Sequence, residues 1–458
     1  MGMKLNKILY GLLFVVLLPL FLVLFCVTVP VPFAAVLWPL GGGVATGAGM
    51  VVMLLGMLDL WRRGEGPPMN AFPPKKLVTG GIYAVLPHPI YLGFCVLCLG
   101  LSLWTGSATG LYLATPLVAL GCVALVVGLE RLDLKRRFGA TPDPVLGPSR
   151  LLRPLSRVLG LVWLWRQVLR GTEWLANSWR SRRFGKVRIM NHLVFSGLGG
   201  AVGSCLVVLA VGRPLAWAVS LLMLTGAAGG AVVGQILEGS SNKLSRPFGY
   251  FGALLGVLVA AGALSLFVPE TPLVVAAFAL AAPWTCAIGR LRCVVQGCCH
   301  GSPCPAEEGI VVHNEHSRVC GMAQLGNRSI YPTQLYSSLG NIAIGIVLAG
   351  YWSLGVSLTL VMGLYLTLSG ALRFMEEAYR GEPQTRILGG LHIYQWFSVA
   401  MFLGGALVML VPSPAVPVLS LDAWIPAVLV GGLFFAVCGF AMSVDFPDSN
   451  RKFTRLSG

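Results

Sequence analysis

The apolar stretch PLVVAAFALAAPWTCAI, residues 272–288, decides the fold of this chain, and the polar stretch GRLRCVVQGCCHG, residues 289–301, follows it directly. As a helix, the apolar stretch is long enough to reach most of the way through a bilayer. Arg290 and Arg292 therefore lie at or just inside a membrane boundary, where a charged side chain costs free energy and usually has a function. We expect this boundary segment to carry function.

Similar apolar runs recur along the chain and set its fold class. Of its 458 residues, 56% are hydrophobic and 11% are charged, a composition that excludes a soluble globular protein of this length. Runs of about 20 apolar residues predict an all-α polytopic membrane protein with about twelve transmembrane helices. The predicted spans are residues 8–30, 34–60, 89–105, 108–129, 192–212, 215–237, 249–268, 272–290, 333–353, 355–375, 391–411 and 423–443.

The positions of lysine and arginine predict the orientation of these spans. If the connections alternate between the two sides, all of the 33 basic residues except Arg213 lie on one side or at helix ends that open to it. The positive-inside rule makes that side cytoplasmic. We therefore predict a bacterial inner-membrane protein with both termini in the cytoplasm. The net charge of +16 indicates contact with anionic lipid, and we find no nucleic-acid motif.

Residues 140–190 differ in composition from the runs on either side. Four prolines break regular structure in the first part of this segment. In the part that follows, Arg166 and Arg170 share one stripe of a helix whose other face is Leu, Val and Trp, which predicts an amphipathic helix on the inner leaflet. We predict a membrane module at residues 1–145, a basic linker at residues 146–190 and a second membrane module at residues 191–458.

In the first module, a loop rich in Gly, Pro, His and Tyr precedes a hydrophobic hairpin, residues 89–129, and the hairpin returns to Glu130 at the same interface. This arrangement suits a cofactor with a charged amino-acid end and an aromatic base. His88 lies between two prolines, which is as typical of an ordinary loop as of a site.

Over roughly residues 30–145, the chain resembles the isoprenylcysteine carboxyl methyltransferase and phospholipid methyltransferase superfamily. The superfamily pattern is G-x-Y-x-x-x-R-H-P-x-Y-x-G, a hairpin, and then E-E-x-x-L-x-x-x-F-G. Here Pro87 replaces the arginine and Arg131 replaces the second glutamate. The resemblance implies that this module binds S-adenosylmethionine. The cofactor-binding residues that it implies are Tyr83, His88, Tyr91, Gly93 and Glu130.

In the second module, Arg373, Glu377 and Arg380 are spaced so that they share one helix face. Counted along the alternating spans, Arg290 and Gln334 lie at the same bilayer surface. Such residues either converge on a lipid phosphate, onto which arginines fork, or form an internal ion-pair network that pins the helices. For three arginines and a glutamate at one depth, we favour the phosphate.

These residues resemble the prolipoprotein diacylglyceryl transferase family, over roughly residues 192–412. Enzymes of that family move the diacylglyceryl group of phosphatidylglycerol onto a lipoprotein cysteine thiol. The matching segments are Gly289-Arg290, Pro332-Thr333-Gln334-Leu335-Tyr336, Arg373-Phe374 with Glu377 and Arg380, and Tyr394-Gln395-Trp396. The resemblance implies that Arg290 and Arg373 grip the lipid phosphate and that Glu377 and Arg380 support them.

A thiol acceptor also needs a base, and His300 is the nearest candidate in sequence. The candidate catalytic residues are therefore Arg290, Arg373, Glu377 and His300. The candidate substrate-binding residues are Gln334, Tyr336, Arg380 and Gln395.

Three features depart from the family pattern. Phe251 replaces a histidine, Cys293 and Cys298 replace an asparagine and a glutamate, and the charge bias turns the site toward the cytoplasm instead of outward. We therefore predict a diverged lipid-transfer reaction between a phosphatidylglycerol-like phospholipid and a lipid-linked or protein thiol acceptor. A non-catalytic lipid-binding or scaffold protein with decayed sites is the alternative. A transporter is a less favoured alternative, because the spans show no inverted repeat.

Cysteines and histidines cluster behind the arginines, at Cys298, Cys299, His300, Cys304, His313, His316 and Cys320. Their spacing matches no standard zinc pattern. A cytoplasmic loop disfavours disulfides. We expect a structural role for them and no metal.

Overall fold

The computed structural model describes residues 8–67, 73–139, 160–238, 248–381 and 387–449. Within these ranges, nine helices are long and apolar enough to cross a membrane. Three further apolar helices are shorter: Pro89–Thr105, Tyr250–Leu264 and Ile393–Val408. The predicted all-α polytopic fold is confirmed. The chain divides into two compact units, Met1–Trp165 and Arg166–Gly458. This division falls inside the predicted linker, of which residues 146–159 lie outside the described ranges.

In its described residues the first unit has four apolar helices: α1 (Ile8–Thr28), α2 (Pro39–Arg63), α3 (Pro89–Thr105) and α4 (Gly110–Phe138). Helices α2 and α3 approach each other backbone to backbone through Gly49 and Gly93. A Cβ atom added at Gly93 would lie 2.6 Å from the Met53 amide nitrogen and 2.7 Å from the Gly49 carbonyl oxygen. Small residues at such contacts are how membrane helices pack closely without a hydrophobic driving force.

The predicted amphipathic helix is observed as α5 (Leu161–Ala176). The remaining helices, all in the second unit, are α6 (Leu193–Val211), α7 (Ala216–Glu238), α8 (Tyr250–Leu264), α9 (Thr271–Gln296), α10 (Thr333–Ser353), α11 (Leu358–Tyr379), α12 (Ile393–Val408) and α13 (Trp424–Ser443), with a single turn at Arg318–Gly321. The strands are β1 (Ser181–Phe184), β2 (Val187–Met190), β3 (Ile310–Val311), β4 (Ser329–Ile330), β5 (Ile387–Leu388), β6 (Leu391–His392) and β7 (Val444–Asp445). They pair antiparallel as β1-β2-β7, β3-β4 and β5-β6.

A buried ion pair joins β2 to β7, which follows α13 directly. The Arg188 Nη2 donates to Asp445 Oδ2 at 2.6 Å, and the Asp445 side chain is fully buried. Hydrogen bonding to Asp445 raises the pKa of Arg188. The pair therefore anchors the end of α13 to the hairpin that follows α5.

Helices α9 and α11 position the candidate site. Helix α9 packs against α6, α10 and α11, mainly through buried alanines. Helix α11 packs against α10 and α12, and 72% of the residues in its most apolar stretch are buried inside the protein. Charges at the C-terminal end of α11 are therefore enclosed by neighbouring helices, not exposed to lipid.

Candidate active site

The C-terminal end of α11 carries the charged residues around which the site is built. Oε1 of Glu376 lies 2.9 Å from Arg373 Nη1, 3.1 Å from Arg380 Nη2 and 3.3 Å from Arg290 Nη2. Arg290 reaches this carboxylate from α9, whereas the others lie on or directly after α11. Glu376 is 5% exposed, so a single buried carboxylate holds three guanidinium groups together.

Glu377 forms a second, looser set of contacts in the same place. Its Oε2 lies 3.2 Å from Arg373 Nη2 and 3.6 Å from Arg380 Nε. The structure thus brings together four residues that the sequence predicted for the site, with Glu376 as an unpredicted fifth. We call Arg290, Arg373, Glu376, Glu377 and Arg380 the arginine cluster.

Glu376 was missed although its spacing was visible in the sequence. It lies three residues after Arg373 and four before Arg380, which puts it on the face shared by both arginines. Glu377 lies four residues after Arg373 and three before Arg380, so it fits the same spacing rule. Helical periodicity alone therefore does not choose between the two glutamates, and Glu377 was predicted because the family pattern contains it.

The arginine cluster keeps one positive charge that no carboxylate in it balances. Three guanidinium groups face two carboxylates. Arg373 Nε is also buried and has no hydrogen-bond partner among the described residues. An uncompensated buried charge is costly, so the cluster is suited to receive one anion. The cluster thus contains the internal ion-pair network that the sequence presented as one alternative, and its surplus charge leaves the other alternative, an anion site, as a prediction.

A small polar cavity opens beside the cluster between α8, α9, α10 and α11. Its lining residues are Tyr250, Cys286, Arg290, Ser337, Asn341, Ser369, Leu372, Arg373 and Glu376. Its volume of about 30 Å³ is room for water. A group larger than water can therefore enter this cavity only if the cavity widens.

The start of α8 contributes a tyrosine to the cavity, next to the position at which the resemblance implies a histidine. The Tyr250 side chain lines the cavity, and its hydroxyl lies 2.7 Å from that of Tyr365. Phe251, which replaces the histidine, instead packs in an apolar cluster with Tyr394 and Met401. Sequence reasoning missed Tyr250 because it compared only the position of the histidine.

The other predicted residues make their hydrogen bonds with loops and with the start of α12. Gln334 Nε2 donates to the Cys298 carbonyl at 2.9 Å and is buried, so it holds the loop after α9. The Tyr336 hydroxyl donates to the Glu308 carbonyl at 3.5 Å, on the loop side of α10. Gln395 Oε1 accepts from the His392 amide at 3.1 Å and caps α12. Beside it, the ring of Tyr394 faces the Arg373 guanidinium, with 5.7 Å to the centroid.

His300 is connected to the end of α11 through its backbone. Its carbonyl accepts from the Gly381 amide at 3.0 Å. The ring is buried, and its Nδ1 lies 3.0 Å from the Gly301 carbonyl, to which it donates as Nδ1–H. With the proton on Nδ1, Nε2 is the basic nitrogen of the neutral ring.

The fold divides the predicted cysteine and histidine cluster. The sulfurs of Cys298 and Cys299 instead meet Cys293, from the last turn of α9, and all three lie within 4.8 Å of one another. Hydrogen bonds from Cys293 and Cys298, together with the charges of Arg380 and Arg290, lower the pKa of Cys299 well below its usual range. Elsewhere, Cys304 Sγ lies 3.5 Å from Ser329 Oγ, Cys320 donates to the Val312 carbonyl, and His316 stacks on Trp179.

In the first unit, the structure brings both ends of the predicted cofactor motif together. Nδ1 of His88 lies 3.1 Å from Oε1 of Glu130, and the ring of Tyr91 packs 6.0 Å from that of His88. His88 directly precedes α3 and has a left-handed φ of +48°. Glu130 ends a π-helical turn, a feature frequent at functional sites. Oε2 of Glu130 is buried without a hydrogen-bond partner among the described residues.

The two remaining residues of that motif have other surroundings. Tyr83 lies on the 3₁₀ turn Gly81–Ala84, which is held to α2 by a hydrogen bond from the Ile82 amide to Asp59 at 2.8 Å. Gly93, predicted to bind the cofactor, lies in the backbone contact of α3 with α2. Its lack of a side chain is thus explained by helix packing.

Comparison with known proteins confirms both resemblances. Residues 242–411 match the sequence model of the prolipoprotein diacylglyceryl transferase family. The second unit is diacylglyceryl transferase-like. Residues 44–141 match the phospholipid methyltransferase family, so the first unit is phospholipid methyltransferase-like. The predicted enzyme class, a transferase, is confirmed by the same matches.

Two curated relatives of the transferase-like unit come from clostridia. Phosphatidylglycerol–prolipoprotein diacylglyceryl transferase 2 of Clostridium perfringens is 27% identical over 201 residues, which are 41% of this chain and 74% of the relative. The corresponding enzyme of Clostridium tetani is 27% identical over 156 residues, which are 32% of this chain and 57% of the relative.

Proposed function

We propose that the second unit transfers the diacylglyceryl group of a phosphatidylglycerol-type phospholipid to a thiol acceptor, either lipid-linked or on a protein. The observation that carries the proposal is the surplus charge of the arginine cluster. A phosphodiester has one negative charge, which balances the one positive charge left by three arginines and two glutamates. Arginine forks match phosphate oxygens in geometry as well as in charge.

The charge that develops in this reaction explains why the arginines would accelerate it. The acceptor sulfur forms a bond to the glyceryl carbon, and the bond from that carbon to the phosphate oxygen breaks. The electron pair leaves with glycerol phosphate, so the phosphate changes from one negative charge toward two. Preorganised guanidinium groups stabilise this developing charge more strongly than the ground state. The acceptor thiol loses its proton, for which Nε2 of His300 is the candidate base.

Replacing Arg290 by alanine should lower the transfer rate about a hundredfold or more, the usual effect of losing one preorganised donor. Arg290 is the cluster arginine that α9 contributes and lines the cavity. The full chain would be reconstituted in phosphatidylglycerol vesicles with a cysteine-containing lipoprotein signal peptide. Release of glycerol phosphate and the mass of the peptide would both be measured.

Arg328→Ala, which removes an exposed arginine of the loop between α9 and α10, is the matched control and should keep the parent rate. An unchanged rate in Arg290→Ala would contradict the proposal. Binding of phosphatidylglycerol by the parent chain without turnover would favour a lipid-binding or scaffold protein instead.

A second candidate function is S-adenosylmethionine-dependent methyl transfer by the first unit. The free acceptor oxygen of Glu130 beside His88 fits the amino group of this cofactor, which is a charged donor. When bound, the cofactor supplies an electrophilic methyl group. Glu130 would hold its amino group, His88 would keep that carboxylate in place, and Tyr91 would offer an aromatic face.

Glu130→Gln should weaken binding of S-adenosylmethionine roughly tenfold to a hundredfold, because it removes a charge-assisted hydrogen bond. Titration calorimetry on the full chain measures this affinity. Asp133→Asn is the control and should bind as the parent does. Asp133 lies on the next turn of α4, and its only ion pair among the described residues is an exposed one with Arg137. A parent chain that does not bind the cofactor, or equal affinity in both variants, would refute this second function.

A further inference from the structure

The thiols of Cys293, Cys298 and Cys299, which we call the thiol triad, have no role in the lipid-binding part of the proposed reaction. Their sulfurs lie within 4.8 Å of one another. Cys293 is on the last turn of α9, one turn beyond Arg290, and the other two follow the end of that helix. The fold therefore gathers three soft ligand atoms next to the arginine cluster.

The backbone that carries the thiol triad is fixed from two sides. Gly297 ends α9 with a left-handed φ of +77°, and Cys299 is itself left-handed at +57°. A non-glycine residue keeps such a conformation only when its surroundings impose it. Here the side chains that impose it come from the start of α10. Gln334 donates to the Cys298 carbonyl at 2.9 Å, and Thr333 donates to the Cys299 carbonyl at 2.7 Å.

The separation of the sulfurs matches a metal site that is nearly closed. Zinc–thiolate bonds of about 2.3 Å hold the sulfurs of one site roughly 3.8 Å apart. Because the sulfurs lie within 4.8 Å of one another, a closure of at most about 1 Å would bring them to this separation. Thiolate ligands select soft or borderline ions, of which zinc is the commonest in proteins.

We propose that the thiol triad binds a zinc-class metal ion through three thiolates and leaves its fourth position open for the acceptor thiol. The binding of the acceptor thiol at the open position rests on the proposed lipid transfer. Three protein ligands with one open position are typical of zinc that takes part in chemistry, whereas structural zinc has four. The acceptor thiol would take this position, give up its proton to Nε2 of His300, the candidate base, and be held as a thiolate, the nucleophilic form.

In the transfer step, the metal-held sulfur forms the bond to the glyceryl carbon, and glycerol phosphate leaves with the electron pair of the broken carbon–oxygen bond. The thioether product is neutral and a weaker ligand than thiolate, so it leaves the ion. This role accounts for a site in which Phe251 takes the place of the family histidine and packs in an apolar cluster. It also accounts for cysteines at the two family positions that follow Arg290.

The test measures the metal separately from the transfer. The full chain, purified in detergent without chelators, should contain roughly one zinc per chain by elemental mass spectrometry. Cobalt(II) exchanged into the protein should show thiolate charge-transfer absorption, and that spectrum should shift when the acceptor peptide is added. Cys298→Ser should weaken zinc affinity by at least the roughly tenfold that loss of a hydrogen-bonding partner of a metal ligand costs, and should therefore lower the zinc content.

The matched controls are Cys304→Ser and Cys320→Ser, which remove thiols of the same loop outside the triad and should retain the metal. The double variant Cys293→Asn with Cys298→Glu guards against misfolding, because it restores the residues of the related family. It should unfold like the parent and contain no zinc. A parent chain without metal, a metal content unchanged by Cys298→Ser, or a disulfide within the triad would overturn the site.

Two further outcomes separate this inference from the proposed function. The role in thiol activation would be overturned if Cys298→Ser loses zinc but keeps the parent rate of lipid transfer, and if the cobalt spectrum does not shift when the acceptor peptide is added. Zinc present in the parent and lost in Cys298→Ser, with no lipid transfer by any form, would support the metal site and refute the lipid transfer.

Discussion

Glu376→Gln is expected to destabilise the second unit by about 3–5 kcal/mol, the cost of removing one partner from a buried ion pair. The substitution leaves three guanidinium groups with the single carboxylate of Glu377, whose contacts of 3.2 and 3.6 Å are the longer ones to Arg373 and Arg380. Lipid transfer should be lost as well, since Arg290 loses the carboxylate that positions it. Thermal unfolding in detergent and the vesicle assay measure the two effects.

Two comparisons make that result specific to the buried carboxylate. Glu377→Gln should have a smaller effect on unfolding, because Glu377 holds two arginines instead of three. Glu307→Gln, which removes the charge of an exposed glutamate, should have none. If Glu376→Gln unfolds at the temperature of the parent, the cluster is not the buried network that its geometry indicates.

Gly93→Ala is expected to destabilise the first unit by about 1–3 kcal/mol through overpacking. The new Cβ atom would meet backbone atoms of α2 at 2.6 and 2.7 Å, and backbone, unlike a flexible side chain, moves only if the helices separate. Thermal unfolding followed by intrinsic fluorescence measures this change. The matched control is Gly47→Ala on α2, where a Cβ atom would meet nothing within 4 Å.

That control should be neutral or slightly stabilising, because alanine favours a helix more than glycine does. The pair of variants also separates packing from cofactor binding at Gly93. Loss of S-adenosylmethionine binding in Gly93→Ala without any loss of stability would restore the role that the sequence motif implied for this glycine.

The arginine cluster combines two properties that are often treated as exclusive. Its ion pairs hold α9 and α11 together, and one of its charges still remains for a ligand. A cluster with equal numbers of arginines and glutamates would pin the helices but would have no reason to bind an anion. One with no glutamates would bear too large a buried charge to remain folded without its ligand.

The fold class and one face of the site could be predicted from the sequence. The hydrocarbon thickness of a bilayer requires about 20 apolar residues per helix, so run length alone identified the helices. The helical repeat is equally rigid, and it correctly placed Arg373, Glu377 and Arg380 on one face. Both resemblances followed from motif order, which survives divergence of the residues between motifs.

Tertiary structure decided which neighbouring side chains enter the site. Tyr250 rather than Phe251 lines the cavity, and Glu376 rather than Glu377 joins all three arginines. Helix α8 is apolar on all sides, so its sequence pattern does not determine how far it is rotated about its axis. Likewise, Cys293 meets Cys298 and Cys299 only because the chain reverses at Gly297 and α10 holds the turn. Helix rotation and loop closure arise from packing between distant segments, whereas length and periodicity are local, and this is why the sequence alone predicted the helices but not these contacts.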